Sequence, residues 1–389
     1  MTRAMTSMPT RIATTRAPRT SDAVAELLDG LGPGPFSLVL LFASTRHDPA
    51  ELAGRLSGRL DAPLTGCTTA GEIGPGGYLE GGVVAAGLGR VEGLRAHVFA
   101  SEQARGIDLA TFEHWRREFD RNREDPGTSL RGRGLGIVLA DGLCGCEEHL
   151  VAGLYDRFQP LSLVGASAGD DVQYRGTTVF AGERALAGGL VFVVLETGPI
   201  PCRTFRLQDA EPVSEPLVIT AARVNQRHVV EIEGRPAVEV FAGIAGVTPE
   251  RLDERVLTGH SLMVTIGGEM YIRSVRRALP DGALELHSAI DEGVVVRVGR
   301  SEDTTASMSR FLEDLDRRGE HPDLALCFDC LHRRWELERQ QRLGTASRLL
   351  SRLPVVGFTT YGEITDSLHV NQTMSGALLG GTLHRSGEE

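Results

Sequence analysis

The sequence predicts an α/β protein: two mixed α/β domains built on repeated strand-helix-strand units. Three observations predict it. An eleven-residue motif occurs twice nearly intact and a third time in degenerate form. Each copy follows an apolar run of strand length and then a segment of helical character. The 389 residues, with a hydrophobic fraction of 41%, allow two or three domains with ample cores.

Taken in order, residues 1–20 carry Arg3, Arg11, Arg16 and Arg19 without an apolar run, and read as a disordered tail. The first unit starts with SLVLLFAS from Ser37. Its helix opens at Asp48-Pro49-Ala50-Glu51, an N-cap with proline at the first helical position and glutamate at the third. The motif PLTGCTTAGEI then runs from Pro63 to Ile73. The second unit has LGIVLADG from Leu135, a helix from Glu147 to Phe158, and LVGASAGDD from Leu163. The third has DLALCFDC from Asp323, a helix from Arg333 to Leu353, and PVVGFTTYGEI from Pro354 to Ile364. The two full copies agree at seven of eleven positions. Strand, helix and strand in about thirty residues favour parallel pairing. Ligand sites in such sheets gather beyond the carboxyl ends of the strands, where all three motifs sit.

Between the second and third copies the pattern changes. Leu217–Arg223 and His228–Glu233 read as strands, and Pro236 and Thr248-Pro249 open short helices. Ser261–Ile266 and Glu269–Val275 flank Gly267-Gly268 as a hairpin. Leu284–Ala289 and Val294–Val298 are further strands, and Asp303–Arg318 is a helix. The proline-flanked stretch 200–215 reads as a linker between one domain over 21–199 and another over 216–389.

Every one of the 41 basic residues is an arginine. Without lysine there is no Schiff base, no P-loop or kinase lysine, and no Ser-x-x-Lys acylase. A net charge of −11 argues against nucleic-acid or anionic-membrane partners. The N-terminus lacks a secretory h-region, and the longest apolar stretch, Ala185–Leu195, is too short for a bilayer. A cytoplasmic, reduced setting is therefore expected, with no disulfide framework among the six cysteines.

Several groups invite chemistry. Thr68, Thr69 and Glu72, Asp170, and Thr359, Thr360 and Glu363 lie at strand ends. There, backbone N–H groups, hydroxyls and a carboxylate form either a ligand pocket or a saturated turn. Gly165-Ala166-Ser167-Ala168-Gly169 fits a nucleophile elbow in letters, but loop and strand follow it where a helix is required. No enzyme is expected. Cys144, Cys146, Cys327 and Cys330 could form a zinc site only with imperfect spacing.

The chain resembles the FIST family. GCTTAGEI followed by Gly77-Tyr78-Leu79-Glu80-Gly81, LADGL at Leu139–Leu143 and VGASAGDD at Val164–Asp171 resemble its N-terminal domain. NQRHVVEIEGRPAVEVF, YIRSV and GFTTYGEI resemble its C-terminal domain. Phe328-Asp329-Cys330 with Arg333-Arg334, His260-Ser261-Leu262, and His369-Val370-Asn371-Gln372-Thr373 resemble a nitric-oxide-sensing haem branch called NosP. The resemblance implies a bacterial sensor that binds haem b, senses nitric oxide, and regulates a histidine kinase or cyclic-di-GMP enzyme in trans, with a homodimer as one arrangement open to it. His369 and then His260 are the expected axial ligands, since neutral imidazole is the usual proximal ligand. Asn371 would line the pocket, and Arg273, Arg333 and Arg334 would meet propionates or a partner's acidic surface. The alternative is a haem-free module for a small metabolite such as an amino acid.

Overall fold

The computed structural model describes residues 7–125, 127–301 and 303–384. Four sheets organise it, and three of them share one plan. In each, two parallel strands flank a helix, a third strand pairs antiparallel beside the first, and an edge strand closes that side. The first unit uses Phe36–Ala43 and Leu64–Thr68 as the parallel pair, then Val83–Gly89 and the edge strand Thr10–Thr15. The second uses Gly134–Ala140 and Ser162–Ser167, then Leu190–Glu196 and Arg95–Ser101. The third uses Leu324–Cys330 and Val355–Thr360, then Thr373–Leu379 and Cys202–Gln208.

The open edge of each sheet is completed by another unit. The hairpin that follows each motif leaves its own sheet and pairs with the second parallel strand of a neighbour. Glu72–Gly74 with Gly77–Leu79, from the first unit, extends the third sheet. Thr178–Ala181 with Arg184–Ala187, from the second, extends the first. Glu363–Thr365 with Leu368–Val370, from the third, extends the second. The exchange is cyclic, so each of these three sheets has six strands.

Alternation on the central strands explains the core. Leu38, Leu40 and Phe42 of the first sheet, Leu135, Ile137 and Leu139 of the second, and Leu324, Leu326 and Phe328 of the third meet in one buried cluster. Phe42 packs edge-on against Phe328 at 6.4 Å and tilted against Phe358 at 4.8 Å. Each such side chain contributes about 1.5–3 kcal/mol by burial. The outer faces are covered by helices Thr20–Leu31 and Pro49–Ser57, Leu109–Asn122 and Glu147–Phe158, and Ala306–Arg318 and Leu343–Leu350. Asp48 caps its helix as expected, its Oδ1 accepting from the Glu51 N–H at 2.8 Å.

The fourth sheet has nine strands, drawn from Ala210 to Ser301, around its own core of Ile219, Phe241, Leu262 and Val298. It is inserted within the third unit, between the edge strand Cys202–Gln208 and the helix Ala306–Arg318. The mixed α/β class is thus what the sequence predicts.

Three local expectations are corrected. Thr10–Thr15, assigned to the disordered tail, is a strand paired along its length with Val83–Gly89. It buries only Ala13 and Thr15, too little to mark a strand in sequence. Residues 1–6 of that tail lie outside the described residues, as do 385–389. Residues 200–215, expected as a linker, contain two strands, Cys202–Gln208 and Ala210–Pro212. The prolines lie at their ends, where no ladder donor is needed. The long third helix is two helices, Leu331–Arg339 and Leu343–Leu350, broken where Gln341 adopts φ 56°. Among the described residues, no helix is long and apolar enough to cross a membrane.

Candidate functional site

The three motifs are turns whose backbone demands explain their letters. In each second parallel strand a glycine faces the neighbouring strand's carbonyl. A Cβ on Gly66 would lie 1.7 Å from the Leu41 oxygen, one on Gly357 1.7 Å from the Cys327 oxygen, and one on Gly165 2.0 Å from the Val138 oxygen. No side chain fits there.

The motif carboxylates are saturated. Glu72 accepts from Thr69 Oγ1 at 2.6 Å and from the Gly82 N–H at 3.0 Å. Glu363 accepts from Thr360 Oγ1, from Thr373 Oγ1 at 2.8 Å, and from the Thr373 N–H at 3.3 Å. Both side chains are fully buried, and burial raises Glu72 to about 7 and Glu363 to about 8. Thr68 Oγ1 accepts from the Thr178 N–H at 3.0 Å, fastening the incoming hairpin. Of the two readings left open by the sequence, this geometry is that of the architectural turn.

Asp170 holds a loop. Its carboxylate accepts from the N–H groups of Tyr174 at 2.8 Å, Arg175 at 2.6 Å and Gly176 at 3.0 Å, and from the Tyr361 hydroxyl. Within this loop Asp171, Val172 and Tyr174 have φ of 51°, 63° and 54°. Positive φ at a β-branched residue is strained. The effect is to set the exposed Tyr174 ring flat against Tyr361, with centroids 4.8 Å apart and planes 19° apart.

This tyrosine pair stands at the mouth of a cavity of about 940 Å³ between the third unit, the second unit's Glu147 helix and the nine-stranded sheet. Of the residues expected at a site, Thr360, His369 and Asn371 line it. His369 is buried between Glu148, whose Oε1 is 3.4 Å from Nδ1, and Gly362. Its Nε2 is enclosed and unpartnered, 2.1 Å from where a Gly362 Cβ would lie. The Asn371 Oδ1 is likewise buried without a partner. Arg227 donates to Glu147 at 3.0 Å and to Glu148 at 2.7 Å. Burial opposes ionisation of Glu148, but the bond to His369 and the charges of His369 and Arg227 hold it well below the usual carboxylate range. Across the cavity, Glu285 accepts from Arg276 at 2.8 Å and Arg277 at 2.5 Å.

The structure separates the other expected residues from this cavity. His260 lines a different pocket, and its Nδ1 lies 3.2 Å from the Val256 carbonyl. Arg333 is buried and bound to Asp329 at 2.8 Å, to Asp209, and to the Thr304 carbonyl at 3.1 Å. Arg334 is bound to Glu338 at 3.0 Å and to Glu80, beside the Tyr78 ring. These two guanidiniums fasten the first unit's hairpin and the chain near Asp209 to the third unit. Arg273 is buried and donates to two carbonyls, Ile272 at 3.3 Å and His369 at 3.5 Å. Burial lowers its pKa. Thr359 Oγ1 is buried and unpartnered, as is Ser167 Oγ.

Two histidines of the cavity wall escape sequence reasoning. His287 and His332 line the cavity with ring centroids 4.7 Å apart at 85°, and His332 stacks on Trp335 at 5.4 Å. Burial lowers His332 to about 4, and burial with the neighbouring His332 and Arg276 puts His287 well below its usual value. Both are neutral at pH 7. His332 sits between Cys330 and Arg333 in a segment singled out by resemblance, which was its available signal. Nothing in sequence points to His287.

The cysteines do not assemble. Cys144 lies in one outer core and Cys327 in another, and all six are free thiols. Cys330 lines the cavity, but burial pushes its thiol well up, which makes it inert. Among the described residues, the group of metal-type donors drawn close together is Glu147, Glu148 and His369, and Arg227 already supplies its cation.

A family model described as the FIST N domain matches residues 37–235, and one described as the FIST C domain matches residues 237–366. No curated protein matches the chain.

Proposed function

The chain belongs to the FIST family of sensory domains in signal transduction, and from that premise we propose that it senses a small neutral or zwitterionic metabolite held in the 940 Å³ cavity. Charge balance carries this reading. The lining has Glu147, Glu254 and Glu285 against Arg227, Arg276 and Arg277, and each of these arginines is paired. A net anion would have to break those pairs, whereas a ligand with no net charge would not. The Tyr174–Tyr361 pair and Trp335 offer flat apolar surface, and the Asn371 side chain adds a polar group to the wall. The volume suits a small molecule, for which about 300–1,000 Å³ is usual. Because the lining comes from two units and the nine-stranded sheet, a bound ligand favours one arrangement of those bodies. A histidine kinase or cyclic-di-GMP enzyme would read that arrangement in trans.

Trp335 provides the test. The chain has two tryptophans, and Trp115 is buried in the second unit's outer core. In a Trp115→Phe variant, emission therefore reports on the cavity alone. Amino acids and neutral polar metabolites are screened by thermal shift. The expected result is a compound that raises the unfolding temperature and moves Trp335 emission with the same affinity. A thermal shift without any change in that emission would place the ligand elsewhere.

One observation favours a second reading, haem b with nitric oxide as the sensed gas. His287 and His332 are neutral imidazoles in a cavity wall, the form that binds iron. They, and not the enclosed His369 or the distant His260, would hold the iron. A visible spectrum of haem-loaded protein tests it. A Soret band altered in His287→Ala and His332→Ala supports haem, and its absence removes the reading.

A further inference from the structure

Cys144 and Cys146 join no metal site, but they meet each other. They stand on either side of Gly145, just ahead of the helix Glu147–Phe158. Gly145 has φ 65°, and a Cβ built on it would meet nothing within 4 Å. The glycine is therefore required by the left-handed turn and not by lack of space. Across that turn the Cys146 N–H donates to Cys144 Sγ at 3.4 Å, and the Cys144 thiol donates to the Cys146 sulfur. Cα atoms two residues apart are separated by at most about 7 Å. A disulfide spans roughly 4.4–6.8 Å between them. Joining this pair asks for adjustment of one turn and no change of fold.

The two thiols differ in access. Cys144 is buried in the second unit's outer core, whereas Cys146 is half-buried and Gly145 beside it is exposed. Cys146 Sγ donates to the Ala104 carbonyl at 3.6 Å. The neighbouring Arg105 holds the Cys144 carbonyl through Nε at 3.1 Å and Nη2 at 2.9 Å. The bond from Cys144 lowers the Cys146 pKa, and the Arg105 charge assists. Burial and the charges of Glu147 and Asp141 oppose them without reversing the shift. The same bond, and then burial, push Cys144 the other way. Cys67, Cys202, Cys327 and Cys330 are all buried, and burial raises each of them.

We propose that Cys144 and Cys146 are an oxidisable pair, a modification site at which hydroperoxides form an intramolecular disulfide. The Cys146 thiolate attacks a peroxide oxygen. An S–O bond forms, the O–O bond breaks, and the departing oxygen takes up the proton that Cys146 gave up. The Cys144 sulfur then attacks the Cys146 sulfur. The S–S bond forms, the S–O bond breaks, and the departing hydroxide takes the Cys144 proton as water. Two thiols are oxidised by two electrons, and one hydrogen peroxide becomes two waters. A small thiol or dithiol reverses the change by exchange. Leu143, Gly145 and Glu147 line the 940 Å³ cavity, so the disulfide gives that wall a second covalent state. The site stands whatever the cavity binds.

The experiment treats the reduced full chain with near-stoichiometric hydrogen peroxide, then denatures it, alkylates the remaining thiols with iodoacetamide and maps them by mass spectrometry. The expected product carries Cys144 and Cys146 on one peptide, unalkylated and lighter by two hydrogens, with the other four cysteines alkylated. Dithiothreitol should restore both thiols. Cys144→Ala should stop at a sulfenic acid on Cys146, trapped by dimedone. Cys146→Ser, which leaves a good residue ahead of the helix, should slow oxidation of Cys144 about tenfold or more. Full alkylation of both cysteines after peroxide overturns the proposal, as does a disulfide formed by any other pair. Undiminished oxidation of Cys144 in Cys146→Ser overturns the assigned order of attack.

Discussion

The turn at Glu72 and the turn at Glu363 carry almost the same eleven residues and do different work. Each threonine-glutamate pair closes the same hydrogen-bonded turn, and each hairpin crosses to another unit. What differs is what the hairpin meets. In the first unit Tyr78 donates its hydroxyl to Asp329 at 2.5 Å and lies by Arg334, sealing the contact. The equivalent position in the third unit is His369, beside Glu148 and at the wall of a cavity. Ala70 of the first motif is replaced by Tyr361, which reaches Asp170 and Tyr174. The shared letters are scaffold, and two residues that differ, Tyr361 and His369, line the cavity.

The largest expected effect tests the scaffold half of that statement. Gly66→Ala and Gly357→Ala each force a Cβ into a backbone carbonyl of the adjacent strand. Each should cost about 3 kcal/mol or more in denaturant unfolding, or abolish soluble protein. The costs should be alike in the two units. A large inequality would break the equivalence of the turns.

The next effect is on pH dependence. Glu72 and Glu363 have folded values of about 7 and about 8 against an ordinary 4.5, because burial disfavours their charge. Both groups bind the proton more tightly when folded. Their stabilising contribution is therefore complete below about 4.5 and is lost as pH rises through about 7 and about 8. Wild-type stability should fall by about 2 kcal/mol or more between pH 5 and 9. Glu363→Gln, being neutral throughout, should flatten the upper part of that fall, and Glu72→Gln the lower part. Unchanged slopes in both variants would mean that the carboxylates ionise at ordinary values.

A smaller effect belongs to the cavity wall. Arg227→Met leaves Glu147 and Glu148 without their cation. The cost should be about 2 kcal/mol at pH 7, since Glu147 is buried and Glu148 partly exposed, and it should shrink as pH falls and Glu148, no longer held down by the Arg227 charge, takes up a proton.

The same division explains what was legible in sequence. The repeated unit was readable because a strand-end turn imposes its glycine and hydroxyl requirements locally. The helix Glu147–Phe158 and the strand Leu217–Arg223 could likewise be drawn from local pattern alone. The hairpin exchange was not readable, because which sheet a hairpin joins is decided by tertiary contact and leaves no mark on its residues. Thr10–Thr15 and Cys202–Gln208 escaped because edge strands bury little: apart from Cys202, the second is half-buried throughout. The cavity was half legible. His369 and Asn371 follow a motif, and Thr360 lies within one, but His287 and His332 come from segments far apart in the chain. Arg333 and Arg334 were conspicuous as a pair and turned out to fasten units together, which a lone sequence cannot distinguish from ligand binding.

The smallest effect on stability bears most on the site. Tyr361→Phe removes the hydroxyl donated to Asp170, which keeps three backbone donors, so the loop carrying Tyr174 should hold. The loss should be about 1 kcal/mol, with the ring stack and the ligand-induced thermal shift retained. Tyr361→Ala makes the third motif resemble the first at this position. It should cost only about 1 kcal/mol more, yet remove most of the ligand response, because the flat surface at the cavity mouth is gone. If Tyr361→Ala responded to ligand as the wild type does, the residues that distinguish the two turns would not be the ones that bind.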